Sequence, residues 1–337
     1  MAGQTNRQVV LKNRPTGMID GSTTEVVEST VPELEDGQAL VAVRYLSIDA
    51  TIRTWMDDAP GYLPPIGIGE VIRSGGSGEV IESKSDRYQV GDIVSGLTGW
   101  QEYAIADEGM GSMSKMPEGI DVAGAMNVLG STGVTAWVGM HEIGHVKPGD
   151  VVVVSGAAGA TGSTAGQVAK AAGAAKVIGI AGGPEKCAFV VDVLGFDEAI
   201  DYKNESVGRR LHELCPDGVD LYYDNVGGEI LDKVLANLAM NGRIVLCGAI
   251  SGYNAGDNVY GLKNYFNLII RRGTMQGFIV LDHFAQWTEI QAKLAELMAE
   301  DKLTHVEHIV EGVEHAPDAL NLLFTGGNTG KVLVKVS

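Results

Sequence analysis

The sequence predicts an α/β fold, a doubly wound parallel sheet joined to a second, β-rich unit. Three observations carry that expectation. From about residue 127 apolar runs alternate with helix-like segments in a βαβα order. The residues before that point instead form short β-like runs, interrupted by Pro60-Gly61, Pro64-Pro65 and Gly75-Gly76. Within the middle region, residues 151–170 (VVVVSGAAGATGSTAGQVAK) set a strand, a tight turn and a small-residue helix in immediate succession.

Taken in chain order, the first unit, 1–126, has β candidates at 38–45, 68–73, 78–82, 93–95 and 101–106. Their shortness and frequent turns suggest Greek-key or barrel character. The middle unit, 127–302, has strands expected at 151–155, 176–180, 198–201, 219–224, 242–247 and 274–279. Helices are expected between and after them at 161–172, 185–194, 229–238, 265–271 and 283–300. Strands joined by crossover helices imply a parallel sheet. The tail, 303–337, returns to β segments at 307–311 and 331–336 and is expected to rejoin the first unit.

The turn after 151–155 resembles the G-x-G-x-x-G phosphate-binding fingerprint, with Ala157 in place of the first glycine and Gly159 and Gly162 kept. Such a turn aims backbone N–H groups and a helix N-terminus at a phosphate. An NAD-binding version needs an acid about twenty residues on, to bind the ribose 2′-hydroxyl. Here that position is Ala181, followed by Gly182 and Gly183, with Lys186 just beyond. A missing acid and a nearby lysine favour NADP(H). The plainer alternative makes Lys186 a solvated side chain on a helix that Pro184 begins.

Composition narrows the function classes. The 25 basic and 43 acidic residues give a net charge of −18, which argues against nucleic acid and anionic membrane as partners. The N-terminal residues lack an apolar h-region, and no apolar run reaches the roughly 18 residues of a membrane span. Cys187, Cys215 and Cys247 are scattered and odd in number, as expected of reduced thiols in a cytoplasmic protein.

One motif points elsewhere. His141-Glu142-Ile143-Gly144-His145 spells the H-E-x-x-H of zinc proteases. That chemistry needs a continuing helix and a third ligand, whereas Gly144 and Pro148-Gly149 end the helix. The histidines read better as solvated or as complementing a helix C-terminus. No other His/Cys cluster suggests a metal, so hydride chemistry would proceed without a Lewis acid. An alkene conjugated to a carbonyl suits this, with a hydroxyl or water serving the enolate. Tyr253 follows the fifth strand at its ligand-facing end, and Tyr260 and Tyr265 follow it. Asn225, at the end of the fourth strand, is similarly placed beside Gly227 and Gly228.

Several stretches together resemble one family: Tyr45-Leu46-Ser47-Ile48-Asp49, Pro64-Pro65-Ile66-Gly67, the turn at 157–163, Gly182-Gly183-Pro184-Glu185-Lys186, Tyr222-Tyr223-Asp224-Asn225-Val226-Gly227-Gly228 and Gly327-Asn328-Thr329-Gly330-Lys331. Over nearly its whole length the chain is similar to zinc-independent medium-chain dehydrogenase/reductases. The resemblance is to the group of leukotriene B4 12-hydroxydehydrogenase/prostaglandin reductases, plant double-bond reductases and curcumin reductases. It implies a GroES-like first domain, completed by the tail, and a Rossmann NADP(H)-binding domain. Lys186 and Tyr202 would then hold the 2′-phosphate, with Gly159, Ala160, Thr161, Gly162 and Gly182 as further cofactor contacts. Asn225, Cys247, Gly248, Ala249, Ile250, Tyr253, Phe278, Ile279, Val280, Asn328 and Gly330 would line the rest of the cofactor, with Thr135 by the nicotinamide.

The resemblance implies metal-free NADPH-dependent reduction of α,β-unsaturated aldehydes and ketones, prostaglandin-like or curcuminoid-like compounds among them, by a homodimer. Quinone reduction, or NADPH binding without catalysis, fits the same residues. The chain departs from the group twice. Asp49-Ala50-Thr51 stands where many relatives have a pocket tyrosine, and Ile270 stands where some have a catalytic one. Tyr260, then Tyr265, are the proton-donor candidates, with water the other source.

Overall fold

The computed structural model describes residues 3–109, 113–117 and 119–336. The chain divides into two compact units, Met1–Met126 with Glu307–Ser337, and Asn127–Val306.

The N-terminal part carries β1 (Thr5–Leu11), β2 (Thr24–Thr30), β3 (Ala39–Ser47), the one-turn helix α1 (Ile52–Trp55), β4 (Gly75–Ser83), β5 (Ile93–Leu97), β6 (Tyr103–Ala106) and β7 (Ser114–Lys115). β3 is central, pairing antiparallel with β4 and β6, and its Leu40, Val41, Val43 and Leu46 are buried. The strand expected at 68–73 does not form. Only the bridge Val10–Val71 is made, because Gly69, at φ 84, turns the chain. The β1–β2 ribbon is an addition to the sequence reading. β2 reads TEVVEST and is mostly exposed, so it offers little apolar alternation to recognise.

The helix α2 (Val122–Val128) leads to α3 (Ser131–Val138), which widens into a π-helical turn, Gly139–Ile143. The doubly wound run follows: β8 (Val151–Ser155), α4 (Ala160–Ala171), β9 (Lys176–Ala181), α5 (Pro184–Ala188), β10 (Glu198–Asp201), α6 (Val207–Leu214), β11 (Val219–Asp224), α7 (Gly228–Ala236), β12 (Leu238–Leu246), α8 (Asn267–Arg271), β13 (Thr274–Gly277) and α9 (Trp287–Ala299). The six strands are parallel in the order β10-β9-β8-β11-β12-β13. The order reverses between β8 and β11, and open sheets of this kind bind ligands at such a switch point. β8 shows why the sheet is buried on both faces. Val152 and Val154 pack into one apolar cluster and Val153 into another.

Three expected elements differ in extent. The helix expected over 185–194 is α5 followed by a π turn, Phe189–Val193. The last helix starts as a 3-10 segment, Val280–Gln286. β12 begins four residues earlier than expected, and Asn241, at φ 60, lies within it beside a register shift in β11.

The chain then returns through β14 (Glu307–Glu311), α10 (Ala316–Thr325) and β15 (Lys331–Lys335). β15 pairs with β14 and with β3, so the tail completes the first unit's sheet. Lys331 anchors this closure although only 1% of it is exposed. Its ammonium donates to Ile48 O at 2.9 Å and pairs with Asp49 Oδ1 at 2.6 Å, while Ser47 Oγ donates to Asp49 Oδ2 at 2.6 Å. Removing one member of a buried pair leaves the other charge uncompensated. Asp49 keeps Ser47 and some solvent, which places Lys331→Met at the low end, a loss of about 3 kcal/mol. Urea unfolding followed on the two proteins measures it; a loss below about 1 kcal/mol would show the tail is held by packing alone.

Candidate active site

Ser155 ends β8, and the glycine turn delivers the chain into α4 at Gly159. Gly162 is required by contact. A Cβ there would lie 2.3 Å from Gly156 O, so any side chain would push the helix off its strand. The close approach leaves the first N–H groups of α4, those of Ala160 and Thr161 among them, without intrahelical acceptors and available to an anion.

At the next strand, Ala181 is buried and ends β9. Gly182 lies against Tyr202 and Lys203 here. A Cβ on Gly182 would lie 2.9 Å from the Tyr202 ring and 3.0 Å from Lys203 Cε. Asp201, at the end of β10, does not face a ribose. Its Oδ1 accepts Gly183 N–H at 2.8 Å and Lys203 N–H at 3.0 Å, and Oδ2 accepts Asn204 Nδ2 at 2.7 Å. Burial pushes the half-buried Lys186 ammonium below the usual lysine range, and the positive charge of Lys203 adds to the effect. Sequence reading missed Lys203, because its relevance depends on β10 lying beside β9.

The other end of the site is built around Asp224. Its Oδ1 accepts from Ser155 Oγ (2.9 Å), Tyr222 Oη (2.7 Å), Val226 N–H (3.0 Å) and Gly227 N–H (2.9 Å). Its Oδ2 is buried without a partner among the described residues. Burial outweighs the hydrogen bonds and holds the carboxyl above the usual range. Asn225 donates from Nδ2 to Ser155 O at 2.7 Å. The loop after β12 is stitched to the same segment: Cys247 and Gly248 donate to Asp224 O, Ile250 to Asn225 O and Ser251 to Val226 O.

A pocket of about 660 Å³ opens there. Cys247, Gly248, Ala249, Tyr253, Phe278, Ile279, Tyr260 and Gly228 line it, all singled out from sequence, together with Leu231 and Asp282, which were not. Ile250 and Val280 adjoin these residues in sequence but are not in the lining. Tyr253 Oη accepts the Ala249 N–H at 3.2 Å. Tyr260 donates to Asp232 Oδ2 at 3.3 Å. Burial pushes the Asp232 carboxyl up, but the backbone N–H groups of Asn264 and Lys263 and the Asn264 side chain prevail, so it lies below its usual range. The Cys247 thiol is pushed up to about 12 by burial and stays protonated.

Other expected residues are placed elsewhere. Tyr265 is 60% exposed and is not among the pocket's lining residues. Thr135 lies on α3, where its carbonyl accepts from Tyr223 Oη at 2.9 Å. Asn328 and Gly330 lie in the first unit, with Asn328 Nδ2 donating to Gly330 O at 3.0 Å. The H-E-x-x-H stretch falls on the π turn. His145, at φ 47, leaves the helix with Nδ1 against His141 O at 3.1 Å, and His141 stacks on Trp137. Among the described residues no three His, Cys, Asp or Glu side chains are grouped to hold a metal.

Strand order, switch point and glycine turn define the class: a doubly wound dinucleotide-binding fold with a second, β-rich unit. Residues 7–115 match the family described as the N-terminal domain of oxidoreductase, and 160–300 that described as zinc-binding dehydrogenase. The chain is 37% identical to the NADPH-dependent curcumin reductase of Escherichia coli K12 and 38% identical to the 2-alkenal reductase (NADP(+)-dependent) of Nicotiana tabacum. Each match covers 99% of this chain and 98% of the relative. The crystal structure of CurA from Vibrio vulnificus in complex with NADPH superposes with a TM-score of 0.93 at 40% identity, over 98% of this chain and 99% of that one. The chain belongs to the medium-chain dehydrogenase/reductase superfamily, in its double-bond reductase group.

The elevated Asp224 pKa has a pH signature. The folded state holds this proton more tightly than the unfolded chain, so the stability it contributes is complete below the ordinary aspartate range and is lost as pH rises through the elevated folded value. Asp224→Asn keeps an oxygen acceptor and removes the titration. Relative to this variant, wild-type stability should decline as pH is raised from about 4 towards neutrality, as read by urea midpoints at several pH values. A constant difference would show that Asp224 titrates normally.

Proposed function

We propose that the protein is an NADPH-dependent reductase of the C=C bond of α,β-unsaturated aldehydes and ketones. One observation carries the reading. The position of the ribose-binding acid is Ala181, and Gly182 leaves room there for Tyr202 and Lys203, with Lys186 near enough to feel the charge of Lys203. A 2′-phosphate is welcomed by cations and repelled by an acid. The relatives named for NADPH and for curcumin or 2-alkenal reduction support the same reading.

The cradle suits the cofactor, since Gly162 and Gly182 sit where side chains would intrude. Lys186 and Tyr202 hold the 2′-phosphate, and Gly159, Ala160, Thr161 and Gly162 offer the diphosphate backbone N–H groups. Asn225, Tyr253, the segment 247–250, Phe278, Ile279 and Val280 hold the nicotinamide riboside, with Thr135 on α3 as a further contact. When bound, NADPH supplies a hydride to the β-carbon of the alkene. Tyr260, its hydroxyl fixed by Asp232, supplies the proton that the enolate takes at the α-carbon. No metal is assigned.

Steady-state rates on an enal and enone panel against a quinone panel test the assignment. Enone turnover with NADPH is expected, and turnover of quinones alone would overturn it. Tyr260→Phe should lower kcat by about 10²-fold with KM for NADPH little changed, the usual size of a lost general acid. An unchanged kcat would hand the proton to water.

An open edge supports a homodimer. β13 ends the sheet, and beside it Phe266, Ile269, Ile270 and Phe284 are 58%, 67%, 47% and 73% exposed. Unpaired strand edges flanked by apolar side chains are covered in stable proteins. A second copy pairing β13 with β13 would cover both. Sedimentation should give twice the chain mass, and Ile269→Glu should shift it towards monomer; a monomeric wild type rules this out. The free cysteines suit the cytoplasm. Among the described residues no helix is long and apolar enough to cross a membrane.

A further inference from the structure

The geometry points to Lys203 as a second cation of the 2′-phosphate site and a determinant of NADPH over NADH selectivity, an inference that rests on the cofactor reading above. Lys203 follows Tyr202 directly and reaches back over the end of β9, its Cε within 3.0 Å of the space a Cβ on Gly182 would fill. Its backbone is fixed there by Asp201 Oδ1, which accepts the Lys203 N–H at 3.0 Å while also accepting Gly183 N–H. The same carboxylate thus ties the two glycine-side and lysine-side segments together, and three hydrogen bonds from N–H groups, the third from Asn204, answer its own charge. Neither Lys186 nor Lys203 makes an ion pair among the described residues, and the charge of Lys203 acts on Lys186.

The closeness of two lysines without a carboxylate partner among the described residues is mildly repulsive for Lys186. It becomes favourable when a dianion lies between them. A phosphate monoester carries about −1.5 to −2 at neutral pH, so one lysine neutralises about half of it and two match it. The ribose 2′-hydroxyl of NADH offers nothing for the second cation to answer. The discrimination therefore lies in the pair.

The test is cofactor binding by the full-length protein, titrating NADPH and NADH separately. Lys203 is exposed, so its replacement leaves folding intact. Lys203→Gln should weaken NADPH about tenfold and NADH less than about twofold, the loss of one charge-assisted contact. Lys203→Arg should retain most of the NADPH affinity, and raising the salt should weaken NADPH binding less in Lys203→Gln than in the wild type. Equal weakening of both cofactors, or none, overturns the inference. A preference lost in Lys186→Ala but kept in Lys203→Gln overturns it alone. A wild type that binds NADPH and NADH equally overturns the 2′-phosphate reading and this inference with it.

Discussion

Where β8 and β11 diverge, one buried oxygen, Asp224 Oδ1, accepts four hydrogen bonds. Two come from side chains on the strands themselves, Ser155 and Tyr222, and two from the backbone of the departing loop. The carboxylate therefore fixes strand spacing and loop direction in one interaction. The consequences spread through the backbone: the carbonyls of Asp224, Asn225 and Val226 receive the N–H groups of Cys247, Gly248, Ile250 and Ser251. Two loops that would otherwise move independently become one wall of the pocket. Burial makes the arrangement expensive, since Oδ2 has no partner among the described residues and the carboxyl's proton affinity is raised. A neutral isostere would escape that cost but would bring a surplus N–H to a buried acceptor position.

The same device recurs along the sheet. Asp220 accepts the N–H that opens β8, Asp197 accepts the N–H of Val177 in β9, and Asp201 ties the ends of β9 and β10 together. Acids at strand ends here serve as backbone acceptors. This matters for reading the fingerprint, because an aspartate at the end of a strand is a ribose ligand only if its oxygens are free. Both Asp201 oxygens already accept N–H groups, and the position that follows β9 falls to Gly182.

The doubly wound half was legible because its signals are local. Val151–Ser155, Glu198–Asp201, Val219–Asp224 and Glu307–Glu311 are found where their runs of strand-forming residues put them. The glycine turn, Lys186, Tyr253 and Tyr260 could be singled out by the same means, since they follow strand ends in sequence, whereas Tyr202, Cys247 and Phe278 were named only by the family resemblance. Interactions between distant segments were not legible. Asp232 precedes Tyr260 by 28 residues and is an ordinary acid in the middle of an amphipathic helix until the fold brings them together. β2, with a polar and mostly exposed sequence, is a strand because β1 pairs with it. Its own residues do not announce it.

The Asp232 clamp also bears on the departure at Ile270. Asp232 accepts the N–H groups of Lys263 and Asn264, the Asn264 side chain and the Tyr260 hydroxyl. These bonds set the course of the loop before α8 starts, and Lys263 lies over the Tyr260 ring at 5.3 Å. Tyr260 is thus held by α7, independently of what α8 carries. With a phenol supplied from the loop, α8 is relieved of providing one. Ile270 lies instead in the exposed apolar strip beside β13, with Ile269 and Phe266. In the proposed dimer, an isoleucine there contributes apolar area to a covered edge, where a tyrosine would need a partner for its hydroxyl. On the proposed roles, the acid's support would come from α7, and α8 would be left for association.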